Sequence, residues 1–205
     1  KLTLLASLAF GIPVQFERAY IEGISKLSAE DIKLAERLGY RIKLLGVAQM
    51  TGRGLEQRMS PCLVPDNSPL GQLEGGTNMV VLEGDNVGQI VLRGAGAGEG
   101  PTASAVLSDI CDLARGTRIS TFGQPAKSLR RAQTTQSVTP APFYLRLQLL
   151  DKPGALARVA AILAESGISI DRMRQYGHSE ETAPVLIVTH KTSRQALNKA
   201  LAELP

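Results

Sequence analysis

Three short stretches of the sequence carry residue types that could take part in chemistry. The first is a glycine-rich run, GAGAGEGPT at 94–102, which follows the apolar stretch VGQIVLR and precedes a helical pattern. Glycines let the backbone approach a ligand closely, and a helix start presents unpaired N–H groups to an anion or a polar ligand edge. The spacing is neither G-x-G-x-x-G nor that of a P-loop. The run fits a ligand-binding turn, and equally a tight strand-to-helix turn without a ligand.

The second candidate is Lys1, which stands at the start of an apolar helical pattern. The positive end of a helix disfavours the charged form of an ammonium group. A lysine in that position can give up and take back a proton near neutral pH, as a general acid or base requires. On spacing alone, a solvated terminal lysine is the competing interpretation.

The third candidate is the sequence Asp151-Lys152-Pro153-Gly154, which separates a predicted strand from a predicted helix. A carboxylate suits the N-terminus of a helix, and glycine brings the backbone close to whatever docks there. The motif therefore fits a pocket for an amino acid. A simple connecting turn is the alternative.

Other chemical constellations cannot be assembled from this sequence. Cys62 and Cys111 have neither disulfide nor metal-ligand spacing, and two buried thiols indicate a reducing, cytoplasmic compartment. His178 and His190 have no second ligand nearby in the sequence, so we expect no metal site. No catalytic Ser/His/Asp or Cys/His set can be assembled either. No apolar run reaches the ~18 residues that span a bilayer, so we expect no membrane partner. Aromatic residues make up only 4%, which argues against a stacking platform for single-stranded nucleic acid.

Composition divides the 205 residues into three parts. Residues 117–141 are rich in Ser, Thr, Gln, Pro and Arg, as linkers are. They hold four basic residues and no acidic one, which accounts for the whole net charge of +4. We therefore predict a first domain at 1–116, a basic linker at 117–141 and a second domain at 142–205. Because the basic excess lies in the linker, we expect no nucleic-acid partner.

The first domain is predicted to be α+β with a mostly antiparallel sheet. Ser28 and Asp31 resemble a capping box that opens a helix ending at Gly39. Asp85-Asn86 has the chemistry of a hairpin turn. The predicted elements are a helix from 2 to 10 with Leu2, Leu5 and Leu8 on its face, a strand at 19–24, hairpins at 41–50/55–64 and 78–84/87–94, and a helix at 102–115.

The second domain is predicted to be a βαββα unit. The helix that Pro153-Gly154 opens directs Leu156, Val159, Ala160 and Leu163 inward. The other elements are strands at 144–151, 168–177 and 185–191, a polar turn at 178–184, and a helix opened by Ser193. A ferredoxin-like split βαβ fold needs one more strand, so we expect this module to lack its last strand and the chain to be cut at both ends.

Several of these motifs, in this order, resemble a known family. LTLLASLAFG, YIEGI, the P-x-L-x-P at 61–65 and GAGAGEGPTASAVLSDICDLARG are together similar to homoserine dehydrogenase across residues 1–116. YLRLQLLDKPGALARVAAILAESGISI, downstream, resembles an ACT domain, a small amino-acid-sensing module. The resemblance implies interconversion of L-homoserine and aspartate semialdehyde with NADP or NAD, in threonine, methionine and isoleucine biosynthesis. It also implies feedback through an amino-acid effector, with threonine expected, and a homodimer or homotetramer.

The resemblance also implies roles for individual residues. Lys1 aligns with the lysine of the family's D-x-x-x-K motif and is the expected proton donor. Gly98 is expected to contact the nicotinamide cofactor, with Gly96 beside it and Thr102 in the helix start beneath. Gly154, Ser169 and Ile170 are the expected effector contacts. The family's Rossmann domain would precede residue 1, so we expect the chain alone not to turn over substrate.

The alternative is an amino-acid-sensing module without catalysis. In that interpretation the glycine-rich run is structural, and residues 143–205 bind the ligand. Replacement of Lys1 would then have no effect on the protein's activity.

Overall fold

The computed structural model describes residues 1–135, 139–176 and 182–204. The α-helices are α1 (Leu2–Phe10), α2 (Ala29–Arg37), α3 (Glu99–Ala114), α4 (Ala155–Glu165) and α5 (Arg194–Glu203). The strands are β1 (Tyr20–Ile21), β2 (Tyr40–Thr51), β3 (Gly54–Pro65), β4 (Thr77–Gly84), β5 (Gly88–Ala95), β6 (Thr134–Thr135), β7 (Tyr144–Leu150), β8 (Ile170–Gln175) and β9 (Thr182–Thr189). Among these described residues no helix is both long enough and apolar enough to cross a bilayer. The α+β prediction is confirmed.

The chain forms two units, which we call the first unit (the part with helices α1 to α3) and the second unit (β7 to α5). A long antiparallel hairpin forms the centre of the first unit. Strands β2 and β3 have 12 residues each and pair without interruption from Tyr40↔Pro65 to Thr51↔Gly54. The predicted hairpin is therefore confirmed. Strands β1 and β6 each add a two-residue parallel pairing to β3. The predicted strand at 19–24 is accordingly shorter than expected.

Helix α1 packs on this hairpin through small side chains. The sequence pattern placed Leu2, Leu5 and Leu8 on the packing face, and for two of these three that prediction is wrong. Leu5 and Leu8 are 48% and 55% exposed, whereas Thr3, Ala6 and Ser7 are buried. A Cβ on Gly46 would lie 3.2 Å from atoms of both Leu2 and Met59. Small residues on both sides therefore let the helix approach the sheet closely.

The second hairpin and the helix after it lie at the surface. Strands β4 and β5 pair from Thr77↔Ala95 to Gly84↔Gly88, so the connecting loop is 85–87 rather than Asp85-Asn86 alone. Gly88 adopts the left-handed φ of 70° that this loop requires. Helix α3 begins at Glu99, three residues before the predicted start, and none of its residues is buried.

The second unit has the predicted βαββα order. Its antiparallel sheet has the strand order β7-β9-β8. Helix α4 buries Val159 and Leu163 as predicted, but Ile162 rather than Ala160 completes the inward face. Ser193 caps α5 by accepting a hydrogen bond from the Ala196 amide at 3.1 Å. The predicted polar turn at 178–184 falls largely outside the described residues.

The segment predicted as a linker is attached to strand β3. The Leu55 amide donates to the Gln133 carbonyl at 2.8 Å, beside the β3–β6 pairing. The buried Glu56 carboxylate accepts from the Thr139 hydroxyl at 2.6 Å and pairs with Arg58 at 3.2 Å. Residues 133–135 and Thr139 therefore contact strand β3 of the first unit, through backbone hydrogen bonds and through the Glu56 carboxylate. The domain boundaries at 116 and 142 stay predictions.

Gly54 and Gly52 offer a matched test of this attachment. Gly54 has φ +117°, and a Cβ there would lie 2.2 Å from the Gln133 carbonyl oxygen. Gly52, in the same turn, has no atom within 4 Å of its would-be Cβ. We expect Gly54→Ala to lower the free energy of unfolding by about 1–3 kcal/mol, because backbone strain adds to the overlap. Urea unfolding of both variants measures this, and equal effects of Gly54→Ala and Gly52→Ala would contradict it.

Candidate functional site

Lys1 stands at the N-terminus of helix α1. It is the N-cap residue, and its carbonyl accepts the Leu5 amide at 3.1 Å. Its side chain is exposed, so the ammonium group is accessible to a ligand in solvent. The structure thus places the predicted proton donor at a helix start, where the sequence pattern put it.

The glycine-rich run forms the turn between β5 and α3. The Gly96 amide donates to the Gly76 carbonyl at 3.2 Å, and a Cβ on Gly96 would lie 2.2 Å from the Asn78 amide nitrogen. Gly98 is the N-cap of α3 with φ 125°, and its carbonyl accepts the Thr102 amide at 3.1 Å. Because the Thr102 N–H makes the first helical hydrogen bond and Pro101 has no N–H, the amides of 98, 99 and 100 have no acceptor within the helix. The Asn78 side chain fills the space beside Gly96, and the backbone of Gly98 is exposed without a side chain of its own.

A small cavity lies beside the start of helix α4. Its volume is about 110 Å³, and its lining includes Lys152, Gly154, Leu149 and Leu150 of the β7–α4 connection and Gln175 of β8. Gly154, the N-cap of α4, has the left-handed φ of 89°. Of the three predicted effector residues, the structure brings only Gly154 to this cavity.

The other two predicted effector residues lie at the opposite end of β8 from Gln175. The Ser169 carbonyl accepts the His190 amide at 2.9 Å, and Ile170 pairs with Thr189. Contact of Ser169 and Ile170 with an effector stays a prediction.

A larger cleft in the first unit contains none of the predicted residues. It measures about 640 Å³ and lies between residues 13–18 and 131–134. Its size alone assigns it no chemistry. In the described part of the chain no cluster of three or more His, Cys, Asp or Glu side chains is arranged to hold a metal ion.

The buried carboxylate of Asp31 is a site that the sequence pattern revealed only in part. The Asp31 Oδ2 accepts the Ser28 amide at 2.9 Å and the Ser28 hydroxyl at 2.8 Å, which confirms the capping box. Its Oδ1 lies 2.8 Å from the Arg146 Nε and 3.4 Å from the Tyr144 hydroxyl, both on strand β7 of the second unit. Asp31 is only 3% exposed. One carboxylate therefore caps helix α2 and joins the two units.

Tyr144 stays a neutral phenol beside this carboxylate. Burial raises the pKa of its hydroxyl group well above 10.0, and the negative charge of Asp31 raises it further, while Arg146 lowers it. A neutral hydroxyl can donate to Asp31, whereas a phenolate beside a buried carboxylate would be repelled.

The described architecture defines a class of protein: an α+β unit on a long antiparallel hairpin, followed by a ferredoxin-like βαββα module with a cavity at its first helix. The family model for homoserine dehydrogenase matches residues 1–111, and the ACT domain model matches residues 143–205. The chain therefore belongs to the homoserine dehydrogenase family, and the resemblance drawn from its motifs is confirmed.

Relatives and solved structures agree with this assignment. Proteins named homoserine dehydrogenase from Neisseria gonorrhoeae and Pseudomonas aeruginosa are each 43% identical over the whole chain. A homoserine dehydrogenase structure from Thiobacillus denitrificans superposes with a TM-score of 0.86 at 43% identity, covering all of this chain and 48% of that one. A Staphylococcus aureus structure, at 22% identity and TM-score 0.67 over 96% of this chain and 47% of that one, shares the fold. The chain spans about half the length of the curated relatives it matches, 49% for both bacteria.

The raised pKa of Tyr144 predicts a pH dependence. When folding raises the pKa of a group, that group stabilises the fold fully at pH values below its pKa in the unfolded chain. The stabilisation is lost as the pH rises from there through the pKa of the folded state. The melting temperature of the wild type should therefore exceed that of Tyr144→Phe by a constant amount from about pH 7 to 9. This difference should shrink above about pH 10. Calorimetry of both proteins across this range measures it. An advantage that persists unchanged to about pH 11 would contradict the assignment.

The two glycines at the start of α3 predict opposite responses. Gly98→Ala forces a side chain into φ 125°, whereas Gly100 lies inside the helix with no atom within 4 Å of its would-be Cβ. We expect amide exchange in the first turns of α3 to speed up in Gly98→Ala and to slow by about fivefold in Gly100→Ala, since alanine favours helix by about 1 kcal/mol over glycine. Hydrogen-exchange mass spectrometry distinguishes the two, and the same direction of change in both would refute the account of this turn.

Proposed function

We propose that this chain supplies the catalytic lysine and the regulatory module of a homoserine dehydrogenase, which interconverts L-homoserine and L-aspartate 4-semialdehyde with NADP or NAD. The observation that carries the proposal is that Lys1 and the glycine-rich turn both fall within the 1–111 match to that family. Supporting it, both lie at exposed helix starts. We place the protein in the reducing cytoplasm because its two cysteines are free, although Cys62 is only half-buried and Cys111 is exposed, and the prediction of two buried thiols is wrong.

The reduction needs a proton at a defined atom. The aldehyde carbon of the semialdehyde gains a hydride, and its oxygen, which takes on negative charge, needs a proton. We assign that proton to the Lys1 Nζ, which takes it back from the homoserine hydroxyl in the reverse direction. A general acid in this role contributes about 10²–10⁴-fold in rate.

The glycine-rich turn fits a nicotinamide cofactor. Gly98 presents exposed backbone without a side chain, so a flat ring can approach it more closely than any Cβ would allow. Gly96 supports the same turn, because its missing side chain leaves room for the Asn78 amide. Thr102 holds the turn by closing the first helical hydrogen bond on Gly98. The bound cofactor would supply the hydride. The chain's own residues supply proximity and orientation.

The cavity beside helix α4 fits an amino-acid effector, for which L-threonine is our first candidate. A carboxylate at this cavity would meet the positive start of the helix at Gly154 and the cation of Lys152. Ser169 and Ile170, at the other end of β8, would make a separate contact surface.

The exposed apolar hairpin fits a second copy of the chain. Leu82, Val87, Ile90, Val91 and Leu92 of β4, β5 and their loop are exposed large hydrophobic residues. A patch of this kind on a protein surface marks an interaction site. We propose that it contributes to a homodimer, or to a homotetramer built from it.

A non-catalytic amino-acid sensor is the second candidate function. The cavity at Gly154 favours it, because that cavity lies wholly within residues 143–205, the part matched by the ACT domain model. In that case the Lys1 ammonium group has no role in turnover.

Replacement of Lys1 separates the two functions. We would join this chain, at Lys1, to the preceding half of the Neisseria gonorrhoeae relative and assay NADPH oxidation with aspartate semialdehyde. Lys1→Ala should lower kcat by about 10²–10⁴-fold without changing the melting temperature, because a proton donor is lost and no buried contact is. Lys26→Ala, at an exposed lysine of the same unit, is the control and should leave kcat unchanged.

An active chimera in which Lys1→Ala retains full kcat would overturn the catalytic proposal. It would leave the amino-acid sensor as the function of this chain.

A further inference from the structure

Three arginines of the second unit lie against the first unit. They are Arg146 on β7, Arg172 on β8 and Arg194 at the start of α5, and we call them the arginine clasp. Their partners in the first unit are carboxylates, tyrosine rings and one backbone carbonyl, as the distances below describe. The contact surface is therefore complementary in charge, which fixes the relative orientation of the two surfaces more than it adds affinity.

Arg146 and Arg172 contact helix α2 at its start and at its end, respectively. At its start, Arg146 pairs with the Asp31 carboxylate at 2.8 Å and with Glu30 at 3.6 Å. At its end, the Arg172 Nη1 donates to the carbonyl of Leu38, the C-cap residue, at 3.3 Å. The Arg172 guanidinium also lies 5.4 Å from the centroid of the Tyr40 ring. A cation at the C-terminal carbonyls of a helix is favourable, and so is the cap at its start.

The third arginine extends the contact toward β1. The Arg194 Nη2 lies 3.9 Å from the Glu22 carboxylate, and its guanidinium lies 5.6 Å from the Tyr20 ring and 4.8 Å from the Phe143 ring. The Tyr20 hydroxyl donates to the same Glu22 carboxylate at 3.1 Å. This arginine joins the second unit to the strand that borders β3.

Two of the three arginines, Arg146 and Arg172, stand on strands that also line the cavity beside α4. Strand β7 bears Arg146 and, three and four residues on, Leu149 and Leu150 of the cavity wall. Strand β8 bears Arg172 and, three residues on, Gln175 of the same wall. Both strands pair with the buried central strand β9, and each runs from the cavity wall to one arginine of the clasp.

We infer that the arginine clasp is the device that couples the cavity of the ACT module to helix α2 of the first unit. A ligand that repositions the ends of β7 and β8 changes the Arg146–Asp31 and Arg172–Leu38 contacts, and with them the order of α2. This inference rests on the proposed function insofar as the cavity takes an amino acid. Arg146 and Arg172 act as positioning residues, since neither lines the cavity.

Hydrogen-exchange mass spectrometry on the 205-residue chain tests the coupling, with L-threonine, L-methionine and L-isoleucine as probes. In the wild type, the amino acid that binds should change amide exchange in residues 29–37 by about fivefold or more. Arg146→Met should abolish that change, while calorimetric binding of the same amino acid stays within about threefold. Arg158→Met, at an exposed arginine of α4, is the matched control and should retain the change.

Each outcome decides a different point. Binding without any change in α2 of the wild type, or an α2 response that survives Arg146→Met, overturns the coupling and leaves the effector proposal standing. Binding of none of the three amino acids overturns the effector proposal and the coupling together. Arg172→Met, which removes the contact at the other end of α2, is the second variant and should also lose the response, so the test stands if Arg146→Met fails to fold.

Discussion

The buried carboxylate of Asp31 is the central contact between the two units of this chain. Ser28 donates to it twice from within the first unit, and Arg146 and Tyr144 donate from the second. A buried charge that loses one partner is strongly destabilising, because the remaining charge has no compensation. The start of helix α2 and the position of strand β7 are therefore one linked constraint. Separation of the ACT module from the first unit would leave the Asp31 carboxylate without its two partners on β7.

The segment predicted as a linker also contacts a buried, paired carboxylate of the first unit. Its basic, polar composition suggests a free tether, yet the buried carboxylate of Glu56 accepts from Thr139 and pairs with Arg58, and Leu55 donates to Gln133. The first unit thus holds the linker and the second unit through two buried carboxylates, one on β3 and one on α2. In this member of the homoserine dehydrogenase family, the ACT module is therefore in direct contact with the unit that bears Lys1.

Short-range chemistry made much of this fold predictable. The S-x-x-D capping box, the two hairpins and the βαββα order depend on neighbouring residues and strand periodicity, and all appear in the structure. The contacts of Asp31 with β7 could not be predicted from the sequence. Asp31 and Tyr144 are 113 residues apart, and no local pattern connects residues at that separation. The packing face of α1 was mispredicted because leucine was taken as the inward residue, whereas Thr3, Ala6 and Ser7 are buried and Leu2 is the leucine that lies against Gly46. Of the candidate sites, Lys1, Gly98 and Gly154 lie at helix starts as the turn chemistry indicated, and Ser169 and Ile170 lie away from the cavity.

A double-mutant cycle on Asp31 and Arg146 tests the central claim most directly. The free energies of unfolding of the wild type, Asp31→Asn, Arg146→Met and the double variant would be measured by urea denaturation. If one buried carboxylate joins the two units, the two substitutions are coupled by about 1–3 kcal/mol, because either one alone already breaks the contact. Effects that add within about 0.3 kcal/mol would contradict the claim and reduce the contact to a surface pair of little consequence.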